Sequence, residues 1–210
     1  MNASSKIVAS DTTIMPDDRW RYWVARGDYR QQMTAELASG WMIDGNQYTM
    51  RRFFAAAVAA GCEVEYLPVL GIADLELADD AVISSGALGR YPQLAPKAIL
   101  PRESPLMTFS EGVVAGELGV AETGSVLVVE NELSDRLVSM MSEHLTVLLA
   151  ADVIEDRLDA ATAWLSAARP VPTYVVLLTG PSRTADIERS LTIGVQGPST
   201  TRVIIVEEEP

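Results

Sequence analysis

TGPSRTADIERSLTIGVQGP runs from Thr179 to Pro198 between two β-branched, apolar runs, TYVVLL (Thr173 to Leu178) and RVIIV (Arg202 to Val206). Both flanking runs read as buried strands. Between them the spacing predicts a turn at Gly180-Pro181, a short helix opening near Ser182, and a second turn at Gly197-Pro198. A strand that leads through such a turn into a helix start presents unpaired backbone N–H groups and the positive end of a helix dipole. That arrangement suits an anion. Ser182 is placed to cap the helix, with Arg183, Thr184 and Asp186 around the same opening. Taken alone, the same residues are better read as structural, with Ser182 and Asp186 only capping and charging a helix start.

Outward from this stretch, strand and helix signals alternate. A helix is expected from Tyr48 to Ala60, stopped by Gly61, and then a half-exposed strand CEVEYL from Cys62 to Leu67. Signals weaken from Asp74 to Pro105. Short helices are expected there near Leu75–Leu77 and Leu88–Leu94, with strands at Ala81–Ser84 and Lys97–Leu100. Two strands joined by a tight turn follow between Glu111 and Glu130, with Gly124 supplying a positive φ. Ser134 to Glu143 is an amphipathic connector, and HLTVLLA (His144 to Ala150) is a strand opening on the chain's single histidine. A helix from Asp152 to Ala168 is expected to bury Ile154, Leu158, Ala161 and Leu165. This alternation predicts an α/β fold, a mostly parallel central sheet in three layers with helices on both faces.

Length and charge narrow the possibilities. The chain has 210 residues, enough for one sizeable core, and its net charge of −13 argues against nucleic acid or anionic lipid as partners. One cysteine, Cys62, cannot form an intrachain disulfide or hold a zinc or iron–sulfur cage, so no metal site is expected. MNASSKIVAS lacks the pattern of a secretory signal and no run spans a membrane, so a cytoplasmic protein is expected. Residues 1–45 read as a helical extension whose first helix, entered at Asp17 or Asp18, carries Trp20, Trp23 and Val24.

Three points together resemble the LUD-domain family of lactate-utilisation proteins, whose small C-type subunit is nearest in size. The first is Thr179, Gly180, Pro181, Ser182, Thr184, Ala185, Asp186, Ile187 and Glu188, continued by Gly194, Gly197 and Pro198. The second is the turn Ala121-Glu122-Thr123-Gly124, and the third is His144 at the start of its strand. One position departs: many members have histidine where this chain has Gln196. The resemblance implies a LUD-type domain over residues 46–207, with the architecture of sugar-phosphate isomerases and CoA transferases.

It further implies that Glu122, His144 and Asp186 are the chemically active groups. Thr123, Gly124, Thr179, Gly180, Pro181, Ser182, Arg183, Thr184 and Glu188 would line the same pocket. The implied function is a subunit of an iron–sulfur system that oxidises L-lactate to pyruvate. This chain would hold no cofactor, the iron–sulfur clusters would lie on partner subunits, and it would bind a small carboxylate or other anion, or those partners; a homo-oligomer is possible. Two alternatives remain open. One is a stand-alone enzyme of isomerase or CoA-transferase type with Glu122 as nucleophile or base and His144 as acid/base. The other is a non-catalytic scaffold.

Overall fold

A computed structural model describes residues 45–99, 109–185, 191–194 and 197–207. The expected N-terminal extension, Asp186, Glu188 and Gln196 lie outside them. In chain order the elements are α1 (Gly45–Ala59), β1 (Glu63–Pro68), β2 (Val82–Ile83), α2 (Ser85–Arg90), β3 (Phe109–Val120), β4 (Ser125–Val129) and α3 (Leu133–Met141). They continue with β5 (Ser142–Ala150), β6 (Ile154–Glu155), α4 (Asp159–Ala167), β7 (Val175–Leu178), β8 (Arg183–Ala185), β9 (Leu191–Ile193) and β10 (Thr200–Glu207).

One sheet carries the order β1-β10-β5-β3-β4-β7, with β2 and β6 also paired to β3. The pairs β1–β10, β10–β5 and β5–β3 are parallel, whereas β4 runs antiparallel to both β3 and β7. The central strands explain why their sequences are apolar without alternation: both of their faces are covered. On one face, Leu145, Val147, Leu149, Val203 and Ile205 pack under Phe53, Phe54 and Ala57 of α1 and Val138 of α3. On the other, Val113, Leu148, Ile204 and Val206 pack against Ile72, Ile83, Ala87 and Leu94. Phe53 is fully buried, and its loss to alanine would cost roughly 3–5 kcal/mol. The α/β architecture with a mostly parallel sheet is therefore the observed one. Among the described residues no helix is long and apolar enough to cross a membrane.

α1 ends as expected at Gly61, whose φ is +95°. Cys62 N–H donates to Ala57 O and Gly61 N–H to Val58 O, both at 3.0 Å, which closes the last turn. The β3–β4 hairpin is also as read, with Gly124 at φ +68°. The need for glycine there is steric as well as conformational. A Cβ at position 124 would lie 2.2 Å from Ala57 N, so only a bare backbone can rest against the last turn of α1.

Three expectations are corrected. No helix opens at Ser182; the chain stays extended into β8, which pairs antiparallel with β9. Ser182 N–H donates to Pro198 O at 2.9 Å and Ser182 O accepts from Gly194 N–H at 3.0 Å, so its backbone is spent on the returning segment. The helix expected from Asp152 starts only at Asp159, because Ile154 and Glu155 form β6 beside Gly119 and Val120. Ile154 and Ala161 are buried, but Leu158 and Leu165 are exposed, so the expected four-residue core stripe is half outside. Between Val69 and Lys97 the expected helices are a 3-10 segment at Val69–Asp74, the short α2, and a second 3-10 segment at Pro92–Lys97.

Candidate functional site

The turn after β3 and the end of β7 meet through hydroxyls. Ser125 Oγ lies 2.7 Å from Thr123 Oγ1 and 2.6 Å from Thr179 Oγ1. This row of hydroxyls exists because β4 pairs β7 with Val126 opposite Leu178, which brings the first residue of β4 to the residue just after β7. Beneath it, Arg183 Nη2 donates to Ala60 O at 2.6 Å, a carbonyl left free at the end of α1. Pro181 and Arg183 both lie against Gly61. The Cys62 thiol is pushed up to about 11 by burial, with the Gly180 backbone and the Arg183 charge pulling weakly the other way. A thiol held protonated in this way is inert at neutral pH, which fits its reading as a small buried hydrophobe.

The sequence-predicted groups divide accordingly. Thr123, Gly124, Thr179, Gly180, Pro181 and Arg183 come together around the end of α1, and Ser182 closes on Pro198 and Gly194. Thr184 sits opposite Thr192 in the β8–β9 hairpin. Glu122 turns elsewhere: its Oε2 accepts from Leu158 N–H at 3.0 Å, at the entry to α4. His144 is exposed, with Nδ1 2.6 Å from Thr200 Oγ1 on the neighbouring strand. In the described contacts Glu122 and His144 share no partner. With no helix at Ser182, the helix-dipole basis for an anion site is removed. Arg183 is engaged by a backbone carbonyl.

A cleft of about 920 Å³ opens where the returning loop meets the start of the sheet. Gly194, Gly197 and Ser199 form one wall; Met140, Met141, Ser142 and Glu143 form another, with Asp80, Phe109 and Ser110 opposite. Ser199 fastens the walls, donating from both N–H (2.8 Å) and Oγ (2.9 Å) to Glu143 O. Ser142 is 3% exposed and its Oγ has no hydrogen-bond partner. Ser110 donates from its hydroxyl and its N–H to Asp80, which holds that carboxyl below the usual range. The lining thus combines two carboxylates, three hydroxyls and three large apolar side chains, with no lysine or arginine among the described lining residues. Sequence reasoning missed Asp80, Ser110, Ser142, Glu143 and Ser199, because no local pattern joins positions so far apart in the chain.

Comparison with known proteins agrees with this architecture. Lactate utilization protein C 1 of Bacillus mycoides (strain KBAB4) is 33% identical over 102 residues, 47% of this chain and 44% of that protein. Lactate utilization protein C of Bacillus licheniformis is 31% identical over 101 residues, 46% of this chain and 42% of that protein. The match therefore spans less than half the length of these curated relatives. A crystal structure of a DUF162 family protein from Deinococcus radiodurans superposes with a TM-score of 0.55 at 14% identity. That superposition covers 78% of this chain and 99% of the other, and shows likeness of fold alone. The family described as LUD domain matches residues 98–206, from the region before β3 to the end of β10, and the chain belongs to that family.

Proposed function

We propose that this chain is a component of a lactate-utilisation system that oxidises L-lactate to pyruvate, with the iron–sulfur centres carried by partner subunits. The observation that carries the reading is the likeness to proteins named lactate utilization protein C. The single cysteine supports placing the redox centres elsewhere, since a cluster needs about four thiolate ligands.

Within that system a partner-binding role has better support than capture of free lactate. A carboxylate entering the cleft would meet Asp80 and Glu143 and no described cation. Like charges at such range disfavour binding. A stand-alone transferase would need Glu122 free to attack, and Glu122 is bonded to Leu158 N–H.

Deleting the gene for this chain in its own host tests the proposal. Growth on L-lactate should be lost while growth on pyruvate continues, and plasmid-borne wild-type chain should restore it. Undiminished growth on lactate after deletion would overturn the reading.

A further inference from the structure

α3 buries polar groups beside Val138 on its inner side and leaves large apolar ones outside. Asp135 and Ser139 are buried on its inner side, while Leu133, Leu137 and Met140 are 69%, 44% and 54% exposed. The inner polar groups have their own partners: Ser85 donates from N–H (3.0 Å) and hydroxyl to Asp135, and Ser139 Oγ donates to Arg136 O. The outer residues recur at i, i+4 and i+7, the spacing at which one helical face presents a continuous stripe, here about 10 Å long.

This stripe does not end in open surface. Met140 belongs both to it and to the 920 Å³ cleft, so the apolar face runs into the cavity that Met141 and Ser142 also line. Both ends are acidic. Glu132 is exposed at the N-terminal end of α3, and Glu143 is exposed just past its C-terminal end, with Asp80 across the cleft. Among the described residues no lysine or arginine pairs with Glu132, Glu143 or Asp80. An apolar stripe bounded by carboxylates that lack a basic partner is complementary to an amphipathic segment that is aliphatic along one side and basic at both ends. Methionine at the junction suits such a contact, because its flexible side chain adapts to the side chain it meets.

We propose that the Leu133–Leu137–Met140 stripe and the adjoining cleft form one docking surface for an amphipathic helix of a partner polypeptide, bearing lysine or arginine in its terminal turns. The proposal rests on the reading of this chain as a subunit and names the part of it that meets the partner.

The test is fluorescence anisotropy of the full chain with a labelled synthetic helix carrying leucines at i, i+4 and i+7 and lysines in both end turns. Saturable binding is expected. It should weaken at least about tenfold with Leu137→Glu, and similarly with a control peptide bearing glutamates for lysines. Glu143→Lys should narrow the preference for the lysine peptide. Leu137 and Glu143 are exposed, so thermal unfolding of both variants should stay close to wild type, and Met140→Lys repeats the test at a second position. Absence of saturable binding, equal binding of the two peptides, or binding indifferent to Leu137→Glu and Met140→Lys would overturn the proposal. A wild-type dimer that Leu137→Glu dissociates would assign the face to a second copy. Peptide binding that appears only after removal of residues 1–44 would assign it to the chain's own N-terminal segment. Either result would also overturn it. Growth separates the two readings: lactate growth intact in the Leu137→Glu and Met140→Lys strains removes the docking surface alone, whereas lactate growth intact after gene deletion removes the functional reading.

Discussion

Ser125 Oγ and Thr179 Oγ1 lie 2.6 Å apart although 54 residues separate them in the chain. Their contact joins the turn between β3 and β4 to the Thr179-Gly180-Pro181-Ser182 segment. Ser125 is 1% exposed and also meets Thr123, so it is the middle member of a three-hydroxyl chain. Removing it breaks two hydrogen bonds at once, to half-buried Thr123 and to exposed Thr179. Ser125→Ala should therefore destabilise the fold by about 1–3 kcal/mol, more than Thr123→Ala or Thr179→Ala. Urea unfolding of the three variants checks this ranking; equal costs would mean that the chain is not cooperative.

Gly124 sets the distance across which those hydroxyls meet. Alanine there must adopt φ near +68° and place its Cβ against the Ala57 backbone, which belongs to α1 and cannot swing aside. Gly124→Ala should cost at least about 3 kcal/mol, combining backbone strain with displacement of the helix end. Soluble yield and thermal unfolding report it directly. A near-wild-type melting temperature would show that α1 gives way easily.

Glu122 separates a structural from a chemical use of the turn between β3 and β4. Its carboxylate accepts from Leu158 N–H at the entry to α4, an arrangement worth about 1 kcal/mol by analogy with helix N-caps. Glu122→Gln retains an acceptor oxygen, so it should unfold within about 1 kcal/mol of wild type and still support growth on lactate. Folded Glu122→Gln protein that fails to support growth would return the residue to the active chemistry.

The parts of this fold that could be read in sequence are those whose cause is local. HLTVLLA and RVIIV carry apolar residues toward both faces because β5 and β10 are covered on both sides, and Gly61 and Gly124 mark turns that only glycine makes readily. The failures have distant causes. Ser182 looks like a helix cap until Pro198 and Gly194, 16 and 12 residues on, claim its backbone bonds. Ile154 has helical spacing with Leu158 and Ala161, yet its pairing with Gly119 fixes it as a strand. The cleft draws on positions from Asp80 to Ser199, and its acidic character follows from which loops meet, so no window of sequence contains it.

Glu130 supplies a pH-dependent prediction with a definite sign. It is 1% exposed at the end of β4, and neither carboxylate oxygen has a hydrogen-bond partner. Burial raises its pKa from 4.5 to about 6; nearby Asp135 adds to the rise, while the Arg136 charge opposes it. Because the folded pKa lies above the unfolded one, the folded state holds its proton more tightly. The associated stability is fully present below pH 4.5 and is lost as pH rises through about 6. At pH 7.5 the buried charge therefore costs on the order of 2 kcal/mol relative to the protonated form. Glu130→Gln keeps the size and removes the charge. Its stability relative to wild type should improve by up to about 2 kcal/mol between pH 4.5 and pH 7.5, measured by chemical unfolding at both values. A difference between Glu130→Gln and wild type that stays constant across that range would show that water or a cation reaches the carboxylate.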